Sequence, residues 1–106
     1  MKRGEVRWAS LAPPWGRRPV LLLARDDAYS VLTAVMVAPL TTTIRRAPSL
    51  VYLAPRRDDV PEASVVILDN ILSVRPSMIE TLITRLSDER MAEVERAARF
   101  ALGMRG

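Results

Sequence analysis

The chain has 106 residues, of which 49% are hydrophobic, and a net charge of +4; that is enough for one domain with a modest core and too apolar for a disordered tail. Cysteine and histidine are both absent, which excludes disulfides, thiolate zinc sites, a Ser-His-Asp triad and any Cys or His nucleophile or base. Any catalysis falls to Arg, Thr, Ser, Tyr, Asp or Glu, and no metal or cofactor is expected.

In chain order, Glu5 to Leu11 alternates loosely through Val6 and Trp8 and reads as a first strand, followed by the turn-rich Ala12-Pro13-Pro14-Trp15-Gly16. Arg17-Arg18-Pro19 then leads into the apolar run Val20 to Leu23. This second strand, about Arg18 to Arg25, is expected to be buried on both faces, with Pro19 fixing the backbone at its start. Asp26 to Ser30 connects to a third strand, Thr33 to Leu40, which ends in the hydroxyl cluster Thr41-Thr42-Thr43. A polar basic loop, Thr41 to Pro48, carries Arg45 and Arg46. Ser49 to Ala54 is a fourth strand, Arg56 to Glu62 a charged turn and Ser64 to Asp69 a fifth strand. Ile71 to Val74 either continues that strand or forms a sixth, Pro76 to Ile79 suits one helical turn, and Thr81 to Leu86 is the last strand. Ser87 is a helix cap ahead of Asp88 and Glu89. Met91, Val94, Ala98, Ala101 and Leu102 recur at helical spacing up to Gly103, and Glu95 and Arg99 are placed to pair at i,i+4. Short strands at close spacing and one terminal helix predict a mainly β (α+β) domain over 1–106, a small barrel or half-barrel.

The charged start Met1-Lys2-Arg3 passes at once into Gly4-Glu5, unlike a secretory leader. No apolar run approaches the roughly 20 residues of a membrane span, so a cytoplasmic protein with no membrane partner is expected. A core this small favours a homodimer. Charge is uneven: residues 1–57 carry ten Lys/Arg and three acids, residues 58–106 six and nine. A basic half suits a polyanionic partner, nucleic acid or acidic peptide, although one Lys among sixteen basic residues also fits compositional bias alone.

Arg18 stands where a rigid strand meets solvent, and a guanidinium there offers a fixed fork of donors to phosphate; the alternative is an ion pair with Asp26, Asp27 or Asp69. If the second and third strand ends converge, Arg18 faces Thr41 across one small site. Trp15 either stacks on a base or folds back on the core. Asp69-Asn70 either bonds a base edge or closes a turn. Arg17, Thr42, Arg45 and Arg46 either follow a phosphate backbone or are solvated loop groups.

Taken as an ordered set, Arg3-Gly4-Glu5-Val6 before a Trp, Arg17-Arg18-Pro19-Val20-Leu21, Val37-Ala38-Pro39-Leu40-Thr41, Ser64-Val65-Val66, Asp69-Asn70-Ile71 and Arg85-Leu86-Ser87 resemble the MazF/PemK/Kid toxins over nearly the whole chain. The resemblance implies a small SH3-like β-barrel of the PemK/CcdB type with a C-terminal helix. It implies a homodimeric toxin of a type II toxin–antitoxin system, countered by an antitoxin with an acidic tail. It also implies metal-independent, sequence-specific cleavage of single-stranded RNA to a 2′,3′-cyclic phosphate and a 5′-hydroxyl. The family's active-site arginine and threonine match Arg18 and Thr41; Trp15, Arg17, Thr42, Arg45, Arg46, Asp69 and Asn70 are the accompanying RNA-binding candidates. The chain departs from many members in a shorter first loop and in Leu72, where they carry arginine. The competing expectations are a non-catalytic antitoxin- or RNA-binding module of the same fold, or a CcdB-like gyrase poison.

Overall fold

The computed structural model describes residues 1–105. The strands are β1 (Glu5–Ser10), β2 (Arg17–Leu22), β3 (Val35–Thr41), β4 (Leu50–Leu53), β5 (Ser64–Ile67), β6 (Leu72–Val74) and β7 (Ile79–Arg85); single helical turns α1 (Ala28–Val31) and α2 (Pro55–Asp58) lie between them, and α3 (Asp88–Ala101) follows. Every pairing is antiparallel, in the order β4-β5-β3-β2-β1-β7, with β6 also on β3. The path ends at β4 and β7, so the SH3-like arrangement takes the half-barrel form: a mainly β fold with a C-terminal helix.

β3 changes partner along one edge. Val35 to Val37 pair with β6, and Leu40 and Thr41 pair with Val66 and Val65 of β5. The tight 3₁₀ turn Leu68–Asn70 breaks the run between them, which is why Ile71 to Val74 does not continue the fifth strand. On its other edge β3 holds β2, with Val20 opposite Pro39 and Leu21 opposite Ala38. β2 is buried on both faces: Leu21 belongs to a cluster with Val6, Leu40, Leu53 and Val94, while Val20 and Leu22 belong to one with Ala9, Val35 and Val37. Full burial of one such side chain contributes about 1.5–3 kcal/mol, so β2 is a rigid mount.

Helix α3 covers the first cluster. The Ser87 hydroxyl accepts from the Arg90 amide at 3.2 Å, as an N-cap should, and Asp88 and Glu89 occupy the first turn. Gly103 at φ 69° ends the helix. Val94 and Ala97 are buried and Met91, Ala98 and Ala101 partly so; Leu102, expected on the inner face, lies beyond the last turn and is 62% exposed. Glu95 pairs with Arg3 at 3.4 Å rather than with Arg99. Trp15, Tyr29, Leu72 and Met78 close the second cluster, so Leu72 is spent on the core. Strand β2 stops at Leu22 instead of Arg25, because the α1 turn follows and the Tyr29 hydroxyl donates to the Ala24 carbonyl at 3.1 Å. Among the described residues no helix is long and apolar enough to cross a membrane.

Candidate active site

The β2/β3 register runs Val20 to Pro39, Leu21 to Ala38 and Leu22 to Val37; carried two residues beyond Val20, it sets Arg18 opposite Thr41. Opposed residues of an antiparallel pair project to the same face. Arg18 and Thr41 accordingly line one cleft of about 420 Å³, together with Arg17, Thr42 and Thr43. Its far wall is the stretch after α2, including Val60, Pro61 and Glu62.

Arg18 is held by carbonyls. Its Nε donates to the Trp15 carbonyl at 2.7 Å and its Nη1 to the Leu40 carbonyl at 3.2 Å, and the guanidinium lies 5.1 Å from the centre of the Trp15 ring. The ion pair weighed as the alternative does not form: among the described residues Arg25 takes Asp27, the Arg3 amide takes Asp26, and the Ser49 hydroxyl takes Asp69. Dipoles orient the guanidinium without neutralising it, and the N–H donors not used on the two carbonyls remain for a ligand. The Leu40 carbonyl also ties Arg18 to the residue before Thr41. The Thr41 Oγ1 accepts from the Thr43 amide at 3.2 Å, so its own proton is free to be donated. One full positive charge and a hydroxyl donor on two rigid strand ends can stabilise negative charge on a phosphate oxygen.

Arg17 is fixed differently. Its Nε meets Glu80 Oε1 at 3.1 Å and its guanidinium lies 4.5 Å from the Trp8 ring centre. The Ser10 hydroxyl at 2.6 Å, and then Arg17, hold the Glu80 carboxyl below the usual carboxylate range. Trp8, Glu62 and Glu80 were not singled out by sequence reasoning. For Trp8 the period-2 pattern pointed the other way, since it shares a strand face with the buried Val6; it is nonetheless half-buried and lines the cleft beside Arg17, in a stretch where β1 shifts register against β7.

The other candidates fall around a second cleft of about 520 Å³, lined by Trp15, Arg45, Arg46, Ser49, Asp69 and Asn70 and sharing Thr41 and Thr43 with the first. Trp15 does both things weighed for it, packing against the second core cluster while lining this cleft. Arg45 and Arg46 are exposed and meet no carboxylate among the described residues. Asp69 and Asn70 close the 3₁₀ turn after β5 and also face the cleft.

The fold and the paired clefts define a small β protein with an arginine–threonine site at the ends of its two central strands. Residues 2–102 match the model of the PemK-like, MazF-like toxins of type II toxin–antitoxin systems, and the chain belongs to that family. It is 43% identical over 100 residues to a Mycobacterium tuberculosis protein named probable endoribonuclease MazF5, covering 94% of this chain and 91% of that one. Among solved structures it is similar to the Mycobacterium tuberculosis toxin MazF-mt6, with a TM-score of 0.86 and 27% identity over 96% of this chain and 99% of that one. It is also similar to a chain of MazE-MazF (Form-III) from Deinococcus radiodurans, with a TM-score of 0.80 and 26% identity over 99% and 98%.

Proposed function

We propose that this toxin is a metal-independent, sequence-specific endoribonuclease that cuts single-stranded RNA in the cytoplasm. The observation that carries the reading is Arg18, planted by two carbonyls beside Thr41 with its charge unneutralised. In RNA the attacking group is the substrate's own 2′-oxygen, so the protein needs no nucleophile. The O2′–P bond forms, the P–O5′ bond breaks, and the products are a 2′,3′-cyclic phosphate and a 5′-hydroxyl; the proton lost from O2′ is balanced by the one gained at O5′. The protein's work is to hold the phosphate in line and stabilise the charge that builds on it. Arg18 is the principal stabiliser. A guanidinium has no lone pair to offer while protonated, as it stays in proteins, so it is a poor acceptor of the 2′ proton. Thr41 adds a second donor, and Arg17, Thr42, Arg45, Arg46, Trp15, Asp69 and Asn70 bind the flanking nucleotides.

The names of the relatives support the reaction class, and the MazE–MazF relative supports an antitoxin as partner. An acidic antitoxin tail suits Arg45 and Arg46, which are exposed and unpaired among the described residues; its association rate should fall as salt rises. A homodimer is supported by apolar side chains left open on α1 and β3, Val31 at 65% and Met36 at 53% exposure. The deciding experiment is single-turnover cleavage of a short RNA in EDTA. One deoxynucleotide at the cut should abolish cleavage while binding persists. Continued cutting of that substrate, or activity that returns only with Mg²⁺, would overturn the reading, as would an inert protein that still binds RNA.

A further inference from the structure

The second cleft contains a carboxylate in an otherwise basic surface, which is a poor device for gripping RNA in general. Asp69 lies on its wall with Asn70, and Arg45 and Arg46 line the same cleft. Ser49, only 3% exposed, donates its hydroxyl to Asp69 Oδ2. That bond restrains the carboxylate and leaves Oδ1 without a hydrogen-bond partner among the described residues. Thr41 and Thr43 border both clefts, so whatever sits in the second is next to the phosphate held in the first.

Resting on the endoribonuclease reading, we propose that the second cleft is a guanine pocket, in which the Ser49-clamped carboxylate of Asp69 reads the base adjacent to the cut. An ionised carboxylate is acceptor-only and has two oxygens side by side. Guanine alone presents two adjacent donors, N1–H and N2–H, on its Watson–Crick edge. Adenine and cytosine each place a ring-nitrogen lone pair beside their amino group, and uracil flanks its single N–H with two carbonyls. Each of those edges sets a lone pair against the carboxylate. Unstacked bases of single-stranded RNA expose this edge for reading, and Trp15 supplies an aromatic wall in the same cleft. Arg45 and Arg46 offset the repulsion between Asp69 and the RNA backbone.

The test is single-turnover cleavage of short RNAs carrying each base at the two positions on either side of the cut, paired with binding of the four nucleoside 3′-monophosphates to the intact protein. Guanine should be preferred at one flanking position by roughly 10–100-fold, the size of one bidentate base contact. Inosine, which lacks the N2 amine, should fall between guanine and the rest. Asp69→Asn replaces one acceptor by a donor and should move the preference to adenine or cytosine. Ser49→Ala should weaken it while leaving guanine first. Guanosine 3′-monophosphate should bind tightest to the wild type and lose that advantage in Asp69→Asn. RNA cut with no guanine preference at any of these positions, or an Asp69→Asn protein with a wild-type melt and an unchanged preference, overturns the proposal. If no RNA is cut at all, the endoribonuclease reading fails instead. Nucleotide binding then decides the pocket alone, and indifference to guanosine 3′-monophosphate removes it.

Discussion

Two arginines in this molecule sit in opposite circumstances. Arg90, on the first turn of α3, is buried against α2: its Nε meets Asp58 Oδ1 at 2.9 Å, its Nη2 meets Oδ2 at 3.1 Å, and its Nη1 meets Glu93 at 2.8 Å. The side chains of Arg90 and Asp58 are 8% and 3% exposed. Asp58 also accepts from the Ala54 amide at 2.7 Å, so one carboxylate ties α2 to α3; its bond to Arg90 outweighs burial, which acts the other way, and with the Glu93 bond holds the Arg90 pKa above its ordinary value. Among the described residues Arg18 donates only to carbonyls, with the neutral Trp15 ring beside it. The difference teaches how to tell a structural cation from one open to a ligand: Arg90 has spent its charge inside the protein, whereas Arg18 has been oriented and left with its charge available.

Substitutions break the comparison where the two differ. The largest expected effect is on stability. Arg90→Ala strands Asp58 as a buried, uncompensated charge and should cost about 3–5 kcal/mol in denaturant titration, with cleavage per folded molecule unchanged. Next is Arg18→Lys, which keeps the charge but not the planar fork. Single-turnover cleavage should fall roughly 10²–10³-fold, the size of losing one oxyanion donor, with an unchanged melt and little change in RNA affinity, since Arg17, Arg45 and Arg46 share the phosphate attraction. A folded Arg18→Lys protein with wild-type cleavage would make the two arginines alike. Thr41→Val removes a neutral donor and should cost about tenfold. Combined with Arg18→Lys it should lose less than the product of the two, if the pair acts as a unit.

The smallest effect sharpens the comparison, because Arg17 is intermediate: paired, but at the surface. Glu80, held by Ser10 and then Arg17, has a folded pKa below its ordinary 4.5. A depressed carboxylate pKa contributes stability that is present above the unfolded value and is lost as pH falls through the folded one. Glu80→Gln should therefore melt slightly below wild type at pH 7 and match it near pH 3. A gap that persists in acid would mean that charge is not what holds Arg17.

Much of this was legible from the chain. The unbroken run Val20 to Leu23 implied burial on both faces, and Leu21 and Leu22 do divide between two cores. Ser87 declared the helix start. The Arg18/Thr41 pair followed from two strands ending in polar residues. Less legible was Arg90, because a salt link between Asp58 and a residue 32 positions away has no local pattern. Trp15 was undecided because its two uses are not exclusive.

The sequence by itself determined where most of the strands lie along the chain, the position of the terminal helix and the kinds of chemistry open to a chain without cysteine or histidine, because these depend on local periodicity and composition. The tertiary structure decided what charge means. Whether an arginine meets a carbonyl or a carboxylate depends on which strand ends and helical turns arrive beside it. That arrival is set by the register of β3 against β2 and β5 and by the packing of α3 over the sheet, neither of which is written at any one position.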